Sequence, residues 1–207
     1  MTSPITHLFR NPPGTLVLAS ASPRRRELLA SLGLDFAVIP SCAEETPLDG
    51  ELPRAHVLRL SCAKALDVAE RKDIGGRWFV GSDTIVVQDG LLLGKPADDK
   101  QAHSMLSALQ GRRHDVYSGF AVYDRQTGQT LSGAARTGVQ FRELTGAEIA
   151  GYIATGEPRD KAGAYAIQGL GAYLVRAIEG SYTSVVGLPL SEVVDALLSL
   201  GAIQTAS

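Results

Sequence analysis

The sequence predicts an α/β fold in which a mixed sheet is flanked by helices. Short apolar runs of strand type alternate with segments of helical periodicity, as in residues 16–18 followed by 23–32. The strand-like segments 116–123 and 129–141 follow each other across a turn, which indicates antiparallel pairing in the middle of the chain. A chain of 207 residues is long enough to bury a sizeable core. We expect a lead-in over residues 1–15 and one domain over 16–207.

Composition and charge exclude several classes of protein. A net charge of -2 argues against a dedicated binder of nucleic acid or membrane surfaces, which would carry a basic excess. Cys42 and Cys62 have no C-x-x-C spacing, so they are interpreted as reduced thiols. The N-terminal residues lack the apolar stretch of a signal peptide, and no apolar run reaches the roughly 20 residues that span a bilayer. These features predict a cytoplasmic protein.

The segment Leu16–Leu28 combines a short strand, a loop of small residues and the start of a helix. Ser22 can cap this helix, and Pro23 at its first position loses no useful backbone donor. Arginines in a first helical turn are unfavourable with the helix dipole, so Arg24 and Arg25 indicate a bound polyanion such as phosphate. The alternative is a solvated basic turn whose arginines pair with carboxylates.

A strand over 36–39 precedes a polar loop, Pro40–Pro53, and then the clearest amphipathic helix, over 54–71. Glu45 in the loop is either a solvated surface residue or a ligand for a hard divalent cation. Lys64 lies within the apolar pattern of the helix, where a lysine usually snorkels to solvent.

Asp83 lies between two apolar runs, 78–80 and 85–87. A carboxylate in so hydrophobic a stretch is costly unless it is paired, hydrogen-bonded or bound to a cation. It is therefore a candidate base or Mg²⁺ ligand in a cleft, and the alternative is a residue that caps a turn. A hairpin turn at 88–90 leads to a strand at 91–93, after which Lys95 lies in a stiff Gly-Lys-Pro loop.

The rest of the chain continues the alternation of helices and strands. Helices are predicted over 97–109 and over 146–154, the second with a capping box at its start. A Gly-rich, charged loop over 156–165 contains Asp160 and Lys161, which could bind phosphate or pair with other side chains. A strand over 172–178 and a last helix over 191–200, capped by Ser191, complete the prediction.

Taken together, these motifs resemble the Maf family of nucleoside triphosphate pyrophosphatases. The resemblance runs in family order over residues 16–190 and rests on Leu18–Arg25, Glu45, Lys64-Ala65, Gly81–Val86, Gly94–Pro96, Gly111–Gly119, Asp160–Gly163, Ile167–Gly169 and Val186–Leu190. It implies a two-lobed fold of the Maf/ITPase-like type, with a curved mixed sheet and a nucleotide in a central cleft. It also implies a homodimer, and cleavage of a nucleoside triphosphate to the monophosphate and pyrophosphate with a divalent cation.

The resemblance further indicates the branch of the family that acts on dTTP and UTP. This branch has Arg, Thr and Gln at the positions of Arg24, Thr84 and Gln168, whereas the branch that prefers 7-methyl-GTP has Trp, Gln and Glu. Ser82 is a small departure, because many members have Ala there. Substrates would be dTTP, UTP and modified pyrimidine nucleotides, consistent with cleaning of the nucleotide pool. The family name reflects a link to septum formation, which implies a role in cell division beside catalysis.

The expected site follows from the resemblance and from the chemistry of the residues. Asp83 would orient or deprotonate the attacking water or bind the metal, with Glu45 as a second ligand for Mg²⁺, or alternatively Mn²⁺ or Co²⁺. The amide of Gln168 would pair with a pyrimidine edge. The triphosphate would be held by Ser20, Arg24, Arg25, Lys64, Lys95 and Lys161. The alternatives are a nucleotidyltransferase, which needs a second substrate, and a non-catalytic nucleotide sensor.

Overall fold

A computed structural model describes residues 8–206. Its β-strands are β1 (Phe9–Arg10), β2 (Leu16–Leu18), β3 (Phe36–Val38), β4 (Trp78–Gln88), β5 (Leu91–Leu93), β6 (Arg113–Asp124), β7 (Thr130–Phe141), β8 (Val175–Glu179) and β9 (Gln204–Thr205). Strands β1 and β9 form a small sheet, and the other seven form the main sheet, in which six follow the order β3-β2-β4-β6-β7-β8 and β5 pairs with β4. Strand β2 pairs in parallel with β3 and β4, and all other pairs of this sheet are antiparallel. The predicted α/β class with a mixed sheet is therefore confirmed.

Six α-helices flank this sheet along the described chain. They are α1 (Pro23–Ala30), α2 (Pro53–Ala69), α3 (Asp99–Leu109), α4 (Gly146–Ala154), α5 (Tyr182–Val186) and α6 (Leu190–Ser199), with short 3-10 helices at Glu157–Asp160, Ala162–Ala164 and Gly169–Leu174. No helix within residues 8–206 is long and apolar enough to cross a membrane.

The helices pack on both faces of the sheet, against side chains that alternate between the two faces along each strand. Leu16 and Val80 pack in one apolar cluster with α1 and α6, and Val86 packs in a second cluster with α3 and α4. Val17 and Phe79 point to the opposite face, where they pack against α2. Because successive side chains of a strand point to opposite faces, β2, β4 and most of β6 are covered on both faces, whereas β5, β8 and the first half of β7 are more exposed.

Helix α2 lies unusually close to β4 and β6. A Cβ atom at Gly81 would lie 2.1 Å from the carbonyl oxygen of Ser61, and one at Gly119 would lie 2.4 Å from that of Val57. Only glycine leaves room for helix backbone at this distance, so these two positions allow the helix to approach the strands. The close approach brings Lys64 of α2 next to Asp83 of β4.

Several predicted elements differ from the structure in extent. The two apolar runs around Asp83 belong to one continuous strand, β4, so the alternative that Asp83 caps a turn is wrong. The strand predicted over 172–178 begins only at Val175, because Gly169–Leu174 forms a 3-10 helix. Pro189, and not Ser191, is the N-cap of the last helix, which starts one residue earlier than predicted.

The predicted N-terminal lead-in is only partly visible. Residues 1–7, the first part of the predicted lead-in, lie outside the described part of the chain. Strand β1 pairs with β9 near the C-terminus, with Phe9 opposite Thr205. The end of the lead-in is therefore held by the last strand. Cys42 and Cys62 are both free thiols, as expected.

Candidate functional site

A cavity of about 320 Å³ opens on the domain surface, lined by residues from widely separated parts of the chain. All ten residues predicted for the site line this cavity: Ser20, Arg24, Arg25, Glu45, Lys64, Asp83, Thr84, Lys95, Lys161 and Gln168. Five cationic side chains and three carboxylates, the third being that of Asp160, give its lining a net formal charge of +2. The cavity therefore suits an anion, and the individual roles of these residues stay predictions.

The carboxylate of Asp83 is buried in the middle of β4, at 6% exposure. Its Oδ1 accepts a hydrogen bond from Nζ of Lys64 at 2.7 Å. Lys64 is equally buried and its Nζ also lies 2.7 Å from Oε1 of Glu45, an exposed residue of the polar loop. A buried charge is tolerable only when it is paired, so this pairing explains how Asp83 and Lys64 remain in the core of the domain.

Glu45 and Asp83 are the two residues predicted to hold a divalent cation, and both are carboxylates that line the cavity. Both carboxylates already converge on one positive group, the ammonium of Lys64. Mg²⁺ is typically bound by one or two carboxylates together with substrate phosphates, so this donor set fits the ion. Within residues 8–206, no cluster of three or more His, Cys, Asp or Glu side chains is arranged to hold a metal.

Burial and charge have opposite effects on the pKa of Glu45. Desolvation alone would raise the pKa, but the hydrogen bond and charge of Lys64, with Lys95 and Arg25 nearby, lower it overall. Glu45 is therefore ionised at neutral pH. An ionised Glu45 beside Asp83 strengthens the case for a cation at this end of the cavity.

The guanidinium of Arg25 is fixed by three acceptors from separate elements. Its Nε donates to the carbonyl oxygen of Gly187 at 2.7 Å, Nη1 to Oγ of Ser20 at 3.3 Å, and Nη2 to Oγ1 of Thr84 at 3.2 Å. Burial lowers the pKa of Arg25, although Asp83 and Glu45 oppose this effect. A guanidinium has five N–H donors, so two remain for a ligand. Arg25 is thus held in one orientation at the cavity wall, with donors still free for an anion.

Hydroxyl groups behind Arg25 hold the acceptors in place. Oγ of Ser82 lies 2.8 Å from the carbonyl oxygen of Gly119 and 3.0 Å from that of Gly187, and Oγ1 of Thr84 lies 3.3 Å from the oxygen of Gly187. Thr84 in turn lies 2.7 Å from Oγ of Ser118, which donates to the carbonyl oxygen of Ser184. Because the Ser82 hydroxyl has one proton, it donates either to Gly119 or to Gly187.

The helix start at α1 has the geometry that the sequence predicts. Oγ of Ser22 accepts from the backbone N–H of Arg25 at 3.5 Å, and Pro23 occupies the first turn. Across the cavity, Lys161 pairs with its neighbour Asp160, which carries a lowered pKa despite partial burial because of Lys161 and Arg24. The two basic segments therefore face one cavity, as a triphosphate site requires.

His56, which the sequence analysis does not select, lies behind Asp83 and does not line the cavity. It is 3% exposed, its Nδ1 lies 2.9 Å from Oε2 of Glu51, and its Nε2 lies 3.9 Å from Oδ2 of Asp83. Glu51 is also held by Arg59, whose hydrogen bond is the main cause that lowers the pKa of Glu51 to about 2. The sequence indicates His56 only through its spacing from Lys64, because residues eight positions apart lie on the same side of a helix.

Comparison with known proteins gives a consistent family. A match to the Maf-like protein family covers residues 15–200. The chain is 59% identical over 189 residues to a dTTP/UTP pyrophosphatase of Syntrophotalea carbinolica, covering 91% of this chain and 86% of that one. It is 55% identical to the dTTP/UTP pyrophosphatase of Geotalea uraniireducens (91% and 96%) and 51% identical to that of Myxococcus xanthus (90% and 92%). The chain therefore belongs to the Maf-like protein family.

Proposed function

We propose that this protein is a nucleoside triphosphate pyrophosphatase that cleaves dTTP and UTP to the monophosphate and pyrophosphate. The observation that carries the proposal is the convergence of Arg25, Lys64 and Asp83 on one positively charged cavity. The names of the similar proteins, which are dTTP/UTP pyrophosphatases, support the same reaction and the same substrates.

The reaction requires an oriented water, charge neutralisation on the phosphates and a stabilised leaving group. Asp83 is the proposed base, because it is a buried carboxylate at the cavity wall whose Oδ1 is fixed by Lys64. Lys64 holds that carboxylate in one orientation and retains one N–H for the substrate, since two of its three donors face carboxylates.

The triphosphate is proposed to lie between the basic residues of α1 and those of the loops opposite. The two remaining N–H groups of Arg25 would form the fork-like contact to phosphate oxygens that guanidinium groups favour. Arg24, Lys95 and Lys161 line the same cavity and would neutralise the remaining charge. Ser20 contributes mainly by orienting Arg25.

We propose that Glu45 and Asp83 are the protein ligands of a divalent cation, most simply Mg²⁺. When bound, this ion would neutralise phosphate charge and act as a Lewis acid. Gln168 would recognise the pyrimidine, because its side-chain amide makes no hydrogen bond to the described part of the chain and can both donate and accept.

A homodimer in the cytoplasm, without a nucleic-acid or membrane partner, is also proposed. The net charge of -2 supports the absence of a nucleic-acid partner. The link to septum formation is a separate proposal, which a catalytically inactive variant would separate from hydrolysis in cells.

Analysis of the products tests the proposed reaction directly. Incubation of dTTP with Mg²⁺ and without an acceptor should yield dTMP and pyrophosphate in equal amounts, as followed by anion-exchange chromatography. A nucleotidyltransferase would release pyrophosphate only after a second substrate is added. Release of dTDP and inorganic phosphate, or nucleotide binding without turnover, would contradict the proposal.

A further inference from the structure

The segment that carries Gln168 is anchored at both ends by residues outside the cavity. The backbone N–H of Ala166 donates to the hydroxyl oxygen of Tyr152 at 3.2 Å. On the other side of Gln168, the backbone N–H groups of Leu170 and Gly171 donate to the carboxylate of Glu157, at 2.9 and 3.0 Å. Gln168 therefore lies in the middle of a short span that is held two residues before it and two residues after it.

The two anchors are joined to each other. The hydroxyl of Tyr152 donates to Oε1 of Glu157 at 3.1 Å, while the same oxygen of Tyr152 accepts from Ala166. Tyr152 is 3% exposed, and burial raises its pKa, so it remains a protonated donor. We call these two residues the Tyr152–Glu157 clamp. Loss of either member would leave backbone N–H groups of the span without an acceptor.

Two glycines show how closely the span packs on the clamp. A Cβ atom at Gly171 would lie 2.5 Å from the Tyr152 hydroxyl and 2.4 Å from the carbonyl oxygen of Ala166. Gly169 has φ +69°, and a Cβ there would lie 3.1 Å from Oε2 of Glu157. The backbone on both sides of Gln168 therefore has little room to move as long as the clamp is in place.

We propose that Tyr152 and Glu157 are positioning residues that set pyrimidine selectivity by holding the backbone around Gln168. This inference rests on the proposed function, in which Gln168 recognises the base. Neither Tyr152 nor Glu157 lines the cavity, so their effect on selectivity must pass through the span. An amide that reads hydrogen bonds must be held near its productive geometry, and its supporting residues provide that precision.

The test compares Tyr152→Phe and Glu157→Gln with the wild type on dTTP, UTP and CTP. Both variants keep the shape of the side chain but remove hydrogen bonds to the span. We expect KM for dTTP and UTP to rise about tenfold, the effect of one charge-assisted hydrogen bond. We expect kcat for these substrates to change less than about threefold, because the span does not contact the reacting phosphate. The preference for dTTP over CTP should fall by about the same tenfold factor.

Two control variants remove similar groups that do not hold the span. Tyr173 lies in the 3-10 helix Gly169–Leu174, and Tyr173→Phe deletes a hydroxyl that makes no hydrogen bond to the described residues. Glu148→Gln weakens a carboxylate that accepts the backbone N–H of Thr145 and so caps α4. Both should keep the wild-type ratio of dTTP to CTP turnover, even if Glu148→Gln lowers the melting temperature.

The outcomes separate the two proposals. If the wild type hydrolyses dTTP and UTP but the clamp variants keep its selectivity, the clamp only stabilises the fold and the inference is wrong. If the wild type hydrolyses neither substrate, the proposed function fails, and the inference about selectivity fails with it. A selective rise in KM for dTTP and UTP in both clamp variants would support the inference.

Hydrogen exchange on the wild type gives a second test that does not depend on folding of the variants. The amides of Ala166, Leu170 and Gly171 should be protected without nucleotide, because their acceptors are present in the free protein. Exchange as fast as that of the exposed loop residues Asp49 and Gly50 would show that the clamp does not hold the span, and would overturn the inference.

Discussion

Nζ of Lys64 lies 2.7 Å from Oδ1 of Asp83, and both side chains are buried below 10% exposure. This ion pair depends on Gly81 and Gly119, because the absence of a side chain at both positions lets helix α2 approach the sheet. It fixes one oxygen of Asp83 and leaves the other, Oδ2, 3.9 Å from Nε2 of His56. The proposed base is therefore oriented by residues of α2 before any substrate binds.

Replacement of Asp83 by Asn should abolish most turnover with little loss of folding. The amide has nearly the shape of the carboxylate but cannot accept a proton, so kcat for dTTP should fall by about 10²–10⁴-fold. Asp124→Asn is a matched control, because Asp124 is also a buried, ion-paired aspartate but lies outside the cavity, against Arg77. Its kcat should stay near the wild-type value. Equal activity of Asp83→Asn and the wild type, in steady-state pyrophosphate release, would exclude Asp83 as base or metal ligand.

Arg25→Lys should weaken triphosphate binding. A lysine cannot reproduce the fork that reaches Gly187, Ser20 and Thr84 together and still offer two N–H groups to phosphate. We expect KM for dTTP to rise about tenfold, as for the loss of one charged hydrogen bond. Arg26→Lys, at the exposed next position, is the control and should leave KM unchanged. An unchanged KM in Arg25→Lys would contradict the proposed phosphate contact.

Gln168→Glu should lower hydrolysis of dTTP and UTP selectively. The carboxylate loses the N–H donor of the amide and keeps only acceptors, so it cannot make both hydrogen bonds to a pyrimidine edge. The relevant measurement is kcat/KM for dTTP, UTP and CTP under identical conditions. A uniform decrease for all nucleotides would count against a role of Gln168 in base recognition.

Glu51→Gln should destabilise the protein at pH 7, and this difference from the wild type should shrink in acid. Arg59 and His56 lower the pKa of Glu51 in the folded state from 4.5 to about 2. A depressed carboxylate pKa gives stability that is present above pH 4.5 and is lost as the pH falls through about 2. Urea denaturation from pH 7 to pH 2.5 checks this. A difference that is the same at every pH would mean that the charge of Glu51 contributes nothing.

The sequence predicts the chemistry of the site better than its internal contacts. Asp83 stands out because a carboxylate within an apolar strand needs a partner, but the identity of that partner depends on the distance between α2 and β4. That distance follows from the glycines at 81 and 119, whose role becomes visible only when helix and strands are packed. The motif around Lys64 predicts a contact with the triphosphate. The ion pair with Asp83, 19 residues away in the chain, has no sequence pattern that predicts it.

The region after α4 shows a second limit. Residues 157–174 form three short 3-10 helices without a regular apolar period, so a pattern search gives a loop and an overlong strand. Gln168 is found there only through its motif. The contacts that hold it, from Tyr152 and Glu157, join residues 13 or 14 positions apart and have no signature in the sequence.

The most direct test of the central claim is pyrophosphate release from a panel of triphosphates, with Mg²⁺ and with a chelator. The panel holds dTTP, UTP, CTP, 7-methyl-GTP and modified pyrimidine triphosphates, with Asp83→Asn as the inactive reference. We expect metal-dependent release of pyrophosphate that is fastest for dTTP and UTP and is lost in Asp83→Asn. Release from none of these nucleotides, or an equal rate with Asp83→Asn, would contradict the central claim.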